Sequence, residues 1–240
     1  MNYYYITGTS SGIGKALAEL YLRDKNNFVY GLSRTQSITH ENYKHCKIDL
    51  NNVDEVNNFK FEKFDNADSI VLVSNATMNS TITHFGKLNE QDMIQRYNVD
   101  IVSPSIIMNH FLKAYQNSNC KRVIMNISSG AARRPIGSWS LYCAAKASMA
   151  MLCEVIDIEQ KHYFPDNPVK IFSVSPGIVD TKAQDNIRKA NPEDFSDLGM
   201  FIEFKEKNQL ADPKDVAEKL AEIINTPEKF DKVSLDVREM

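Results

Sequence analysis

The chain has 240 residues, of which 42% are hydrophobic and 25% charged, and a formal net charge of −3. That length and balance suit an ordinary globular protein with one full core. The slight acidic excess argues against a nucleic-acid or anionic-membrane surface.

Taken in chain order, YYYIT is rich in β-formers and ends at Gly8, and no signal- or transit-peptide pattern precedes it. Ile13, Ala16, Leu17, Leu20 and Tyr21 then recur at helical spacing. FVYGLS and CKIDL read as the second and third strands, and SIVLVSNA as a strand buried on both faces. Residues 91–115 read as a helix that Pro104 should kink. RVIMNISS is a fifth strand, 139–162 a long helix, and VKIFSVSPG a sixth strand stopped by Pro176 and Gly177. Residues 181–212 lack a steady period and carry Pro192 and Gly199, so a weakly structured segment covering the substrate is expected. Pro213 opens a helix over 213–225, and KVSLDV is the last strand. This alternation implies an α/β fold, a doubly wound parallel sheet in a single domain over 1–240.

No apolar run approaches a membrane span. Cys46, Cys120, Cys143 and Cys153 show no CxxC spacing, so reduced thiols and a cytoplasmic setting are expected. His40, His45, His84, His110 and His162 make no metal-ligand pattern. The pairs Lys121–Arg122 and Arg133–Arg134 read as solvated surface charge.

TGTSSGIG, residues 7–14, joins the first strand to the first helix. Gly8 allows a sharp exit from the strand, and Gly12 and Gly14 let backbone approach a ligand and the helix pack on the sheet. A helix N-terminus there offers amides to a pyrophosphate, with Ser10, Ser11 and Ile13 in the same loop. The second strand ends in Ser33 and Arg34, where a site preferring NAD would carry an acid. A guanidinium favours a 2′-phosphate, so the expected cofactor is NADPH or NADP+.

In SWSLYCAAKASMAM, Tyr142 and Lys146 share one helical face. A phenol ordinarily titrates near about 10, and a neighbouring ammonium favours its phenolate. The four segments TGTSSGIG, NISSG, YCAAK and SPGIVDT, in that order, resemble the short-chain dehydrogenase/reductases. The resemblance implies a catalytic trio of Ser129, Tyr142 and Lys146. It places Asp49 near the adenine, Asn75 along the cofactor, and Val179 and Thr181 beside the carboxamide. Thr77 stands where the family has a glycine. Where the family has an asparagine that supports a proton relay, this chain offers Asp100, or Asn98 after a local shift. The long helix often sits at a subunit interface in this family, so a homo-oligomer is expected.

NISSGAARRPIGSWSLYCAAK and the segment from Pro176 to Pro213 most resemble bacterial reductases of the sepiapterin-reductase-like branch, benzil reductases in particular. That implies reduction of one carbonyl of a vicinal, aromatic diketone, with Trp139, Met78 and Phe201 as pocket residues. Pterin reduction is the second reading, with Asp236 as its anchor. A nucleotide-sensing or scaffold protein without turnover is the third.

Overall fold

Seven strands build one sheet: β1 (Asn2–Thr7), β2 (Asn27–Ser33), β3 (Tyr43–Lys47), β4 (Ser69–Ser74), β5 (Lys121–Ile127), β6 (Lys170–Ser175) and β7 (Ser234–Asp236). Their order is β3-β2-β1-β4-β5-β6-β7, and all neighbours are parallel. This is the computed structural model of the chain, and it describes residues 1–79 and 82–240. The strand order reverses between β1 and β4, so a crevice opens at their C-terminal ends.

Side chains alternate between the two faces, as the strand period requires. Tyr4 and Ile6 of β1, Val71 and Val73 of β4, and Val123 and Met125 of β5 face one layer. That layer holds α1 (Gly12–Tyr21) and α8 (Pro213–Asn225), which bury Leu17, Ala18, Leu220 and Ile224. Tyr5, Ile70, Leu72 and Ile124 face the other layer, against α4 (Ser103–Tyr115) and α5 (Ser140–Tyr163). Tyr5 and Tyr115 place their hydroxyls 3.3 Å apart, and Tyr115 donates to the Glu62 carbonyl at 2.6 Å. Those bonds satisfy phenols that burial would otherwise penalise. Among the described residues, no helix is long and apolar enough to cross a membrane.

Three local expectations need correction. β3 spans Tyr43–Lys47, upstream of CKIDL, and Ile48 and Leu50 are buried beyond its end. A short helix, α2 (Val53–Asn58), follows it, started by Asn52, whose side chain accepts from the Glu55 amide. The reading of 91–115 as one kinked helix becomes α3 (Glu90–Tyr97), a π-helical turn (Asn98–Val102) and α4. The wider turn ends just before Pro104, which lacks the amide an α-helical ladder needs there. Residues 181–212 are far from unstructured: α6 (Lys182–Ile187) and α7 (Leu198–Glu206) lie within them. Phe195, Leu198 and Phe201 form a small core of their own there, joined by Trp139 and Ile187.

Arg122 is the fourth correction, because it is buried rather than solvated. Its guanidinium donates to the carbonyls of Gln116 (2.6 Å) and Asn167 (2.7 Å), closing the C-terminal end of α4.

Candidate active site

The crevice at the strand reversal is a cleft of about 960 Å³. At one end β1 runs out at Thr7, and Gly8 and Gly12 turn the chain at φ of 76° and 59°. Only glycine accepts such angles without strain. A Cβ on Gly8 would meet the Asn75 Nδ2 at 2.8 Å and the Ala76 Cα at 3.0 Å. Ser11 caps α1 in extended conformation with no bond from its side chain, so first-turn amides face the cleft unclaimed by it. Ser10, Ser11, Gly12 and Ile13 line the cleft; Gly14 does not. Gly14 is buried where the helix meets the strand end, with room only for hydrogen. Asn75 ties the two central strands together. Its Nδ2 donates to the Thr7 carbonyl and its amide to the Thr7 hydroxyl, both at 2.9 Å.

Beyond the loop lie Ser33, Arg34 and Asp49. Ser33 donates to the Thr35 carbonyl at 2.9 Å, and Asp49 accepts from the Asn51 amide at 3.0 Å. Arg34 is exposed on the cleft wall. Tyr43 supports this end from β3, its hydroxyl 2.9 Å from that of Thr9. Burial pushes the Tyr43 phenol up from its ordinary value, so it stays a neutral hydrogen-bonding strut.

At the other end the cleft brings together Ser129, Tyr142 and Lys146. Ser129 precedes a 3-10 turn (Gly130–Ala132), and its Oγ accepts from the Ala131 amide at 3.2 Å. Tyr142 and Lys146 project from successive turns of α5. The Lys146 side chain is buried, its Nζ donating to the Ile127 carbonyl at 2.8 Å and lying 5.6 Å from the Tyr142 ring centre. Trp139 meets the same ring edge-on at 5.3 Å and stacks on Phe195 at 5.7 Å. Met78, Val179, Thr181 and Phe201 also border the cleft. So the helices of 181–212 supply part of its apolar wall.

Two acids that the sequence singles out are engaged by arginines. Asp100 and Asn98 do not hydrogen-bond Lys146. Asp100 is buried, accepting from the Met78 amide (3.0 Å) and the Thr77 hydroxyl (3.2 Å), and is ion-paired with Arg96. Asn98 donates to the Asn51 carbonyl at 3.4 Å. Asp236 borders the cleft, but Arg238 grips it through Nε at 2.9 Å and Nη2 at 2.6 Å. That guanidinium holds the Asp236 carboxyl below the usual carboxylate range. Arg96 and Arg238 are two charged residues that sequence reasoning missed, alongside part of the apolar wall. The spacing of Arg96 to Asp100, one helical turn, was the available signal.

Residues 2–192 match the family model described as short chain dehydrogenase. A benzil reductase ((S)-benzoin forming) of Bacillus subtilis (strain 168) is 32% identical over 231 residues, covering 93% of each chain. The Bacillus cereus enzyme of the same name is 32% identical over 243 residues, 95% of this chain and 96% of its own. Among solved structures, the YIR035C short-chain dehydrogenase/reductase of Saccharomyces cerevisiae superimposes with a TM-score of 0.81. That match covers 99% of this chain and 96% of the yeast chain at 24% identity, and speaks for the fold. With the crevice, the glycine turn and most of the chain's length all in agreement, this protein belongs to the short-chain dehydrogenase family of oxidoreductases.

Proposed function

We propose that the protein is an NADPH-dependent carbonyl reductase acting on one carbonyl of a small aromatic vicinal diketone. The observation that carries this is the meeting of Ser129, Tyr142 and Lys146 in a cleft that starts at the glycine turn. A dinucleotide fits the residues present. The positive-φ turn at Gly8 and Gly12 brings backbone to the cleft, and the start of α1, uncapped by a side chain, would face a pyrophosphate there. Arg34 would serve the 2′-phosphate, with Ser33 lining the same end of the cleft, and no acid at the end of β2 opposes it. Asp49, Asn75, Val179 and Thr181 complete the cofactor wall. Bound there, the reduced nicotinamide would supply a hydride to the carbonyl carbon.

The chain's own groups do the rest. Tyr142 gives its phenolic proton to the carbonyl oxygen as hydride arrives at carbon. Ser129 holds that oxygen: its Oγ already accepts from the Ala131 amide, which leaves its O–H as donor. Lys146, anchored on the Ile127 carbonyl, turns its remaining N–H groups to the ribose hydroxyls and its charge to the phenol. Trp139, Ile136, Ile187, Met200, Phe201 and Phe204 form the wall against which an aryl group would pack, with 181–212 as the cover. The two bacillar relatives named for benzil reduction support that choice. Asp236, the acid a pterin would need, is engaged by Arg238, which favours the diketone reading.

An apolar stripe of Met151, Val155 and Ile158, exposed along α5, supports a homo-oligomer. Four unpaired thiols suit a reducing, cytoplasmic setting. The test is NADPH consumption with benzil, 1-phenyl-1,2-propanedione, diacetyl and sepiapterin, with NADH in parallel. Turnover of the aryl diketones with NADPH, lost in Tyr142→Phe, is the expected result. No turnover on any of the four would sink the proposal.

A further inference from the structure

We propose that Arg96, held in place by Asp100, is a positioning residue that sets the ring of Tyr142 relative to the cofactor wall. The proposal rests on the reading of Tyr142 as proton donor. Arg96 closes α3 and Asp100 sits one turn on, in the π-helical turn. Their side chains are 3% and 1% exposed, so both charges are withdrawn from water. Taking two charges out of water costs several kcal/mol of each ion's hydration, and an apolar pair often serves stability as well. A buried pair therefore calls for another reason, and its surroundings supply one.

The Arg96 guanidinium carbon lies over the Tyr142 ring, 5.7 Å from its centre. The Asp100 carboxylate spends its other lone pairs on the Met78 amide and the Thr77 hydroxyl. Thr77, Met78 and Tyr142 all border the cleft, on segments far apart in sequence. The pair thus links the loop after β4 to the ring that must deliver a proton. An asparagine at position 100 has one acceptor oxygen where Met78 and Thr77 use two, and it could not balance Arg96. The acid and the arginine work as a set.

The variants are R96M/D100N, which removes both charges of the pair together, and R96K, which keeps the charge without the planar fork. Losing a desolvated cation over the ring should lower kcat about 5- to 30-fold. In R96M/D100N that loss should come with KM and the NADPH dissociation constant within about twofold of wild type. The solvent deuterium isotope effect on kcat should grow, and R96K should fall in between. Unchanged kcat, or a kcat loss matched by equal weakening of NADPH binding, would overturn the proposal. A crystal structure of R96M/D100N separates this from the choice of substrate, since it needs no turnover. There the Tyr142 ring should shift by roughly 1 Å or split into two conformers. A ring that stays in place refutes the positioning role even if the diketone reaction is real.

Discussion

Replacing Gly14 by alanine tests the glycine loop at its tightest point. Gly14 does not have a positive φ, so the objection is steric alone. The new Cβ would lie 2.4 Å from Asn75 Nδ2 and 2.6 Å from the Gly8 carbonyl oxygen. Ordinary contact begins near 3.5 Å, so the Gly8 carbonyl must retreat by roughly 1 Å. Asn75 must swing away and lose its 2.9 Å bond to the Thr7 carbonyl, a cost of about 1 kcal/mol. Overpacking adds about 1–3 kcal/mol, and alanine's better helical entropy returns about 0.5–1 kcal/mol. The net is a destabilisation of about 1–3 kcal/mol, read as a lower urea midpoint at unchanged slope. The displaced loop should also raise the NADPH dissociation constant at least about tenfold in a fluorescence titration. Gly199→Ala is the control: it lies in α7 with nothing within 4 Å and should gain about 0.5–1 kcal/mol. A Gly14→Ala protein with wild-type midpoint and wild-type affinity would refute the steric reasoning.

Arg34→Ala should weaken NADPH roughly 10- to 100-fold and leave NADH unchanged, measured by parallel titrations; equal weakening of both would remove Arg34 from the 2′-phosphate site. Asp194 accepts from Lys87 at 3.2 Å and Thr83 at 3.4 Å, tying the covering segment to the loop before α3. Asp194→Ala should raise the diketone KM about two- to fivefold and speed protease nicking within 181–212; unaltered nicking would count against a latch. Asp236 has its carboxyl depressed by Arg238, so the contribution to stability is present above the usual carboxylate range and lost as pH falls through the folded value. Melting temperature against pH should therefore drop less steeply below about pH 4 in Asp236→Asn than in wild type, and identical acid limbs would contradict the assignment.

Much of the architecture is legible because it is written in neighbours along the chain. β1, β4, β5 and β6 are runs of β-formers stopped by glycine, polar residues or proline, and each strand lies where its run does. The glycine turn is legible for the same reason: its spacing acts within one loop. CKIDL misleads because Ile48 and Leu50 are apolar for another purpose, burying themselves beyond the strand end beside the cleft. α2 carries a readable start, Asn52 with Glu55 three residues on, but only a single turn and a half to confirm it. α6 and α7 escape notice because their apolar residues do not repeat for a core beneath the sheet; they close on Trp139 and on one another.

Local pattern, then, determined the strand sequence, the parallel α/β class, the glycine turn and the pairing of Tyr142 with Lys146 on one helical face. Tertiary structure alone decided which charges are buried and what answers them. Arg122 reads as surface until the end of α4 presents its carbonyls. Asp236 reads as the anchor of a pterin until Arg238 folds back on it. Arg96 and Asp100 are an ordinary helical pair until the Thr77 loop and the Tyr142 ring close around them. The reason is physical. Backbone conformation answers to residues a few positions away, whereas the cost of a charge depends on the water removed by segments that arrive from elsewhere in the chain.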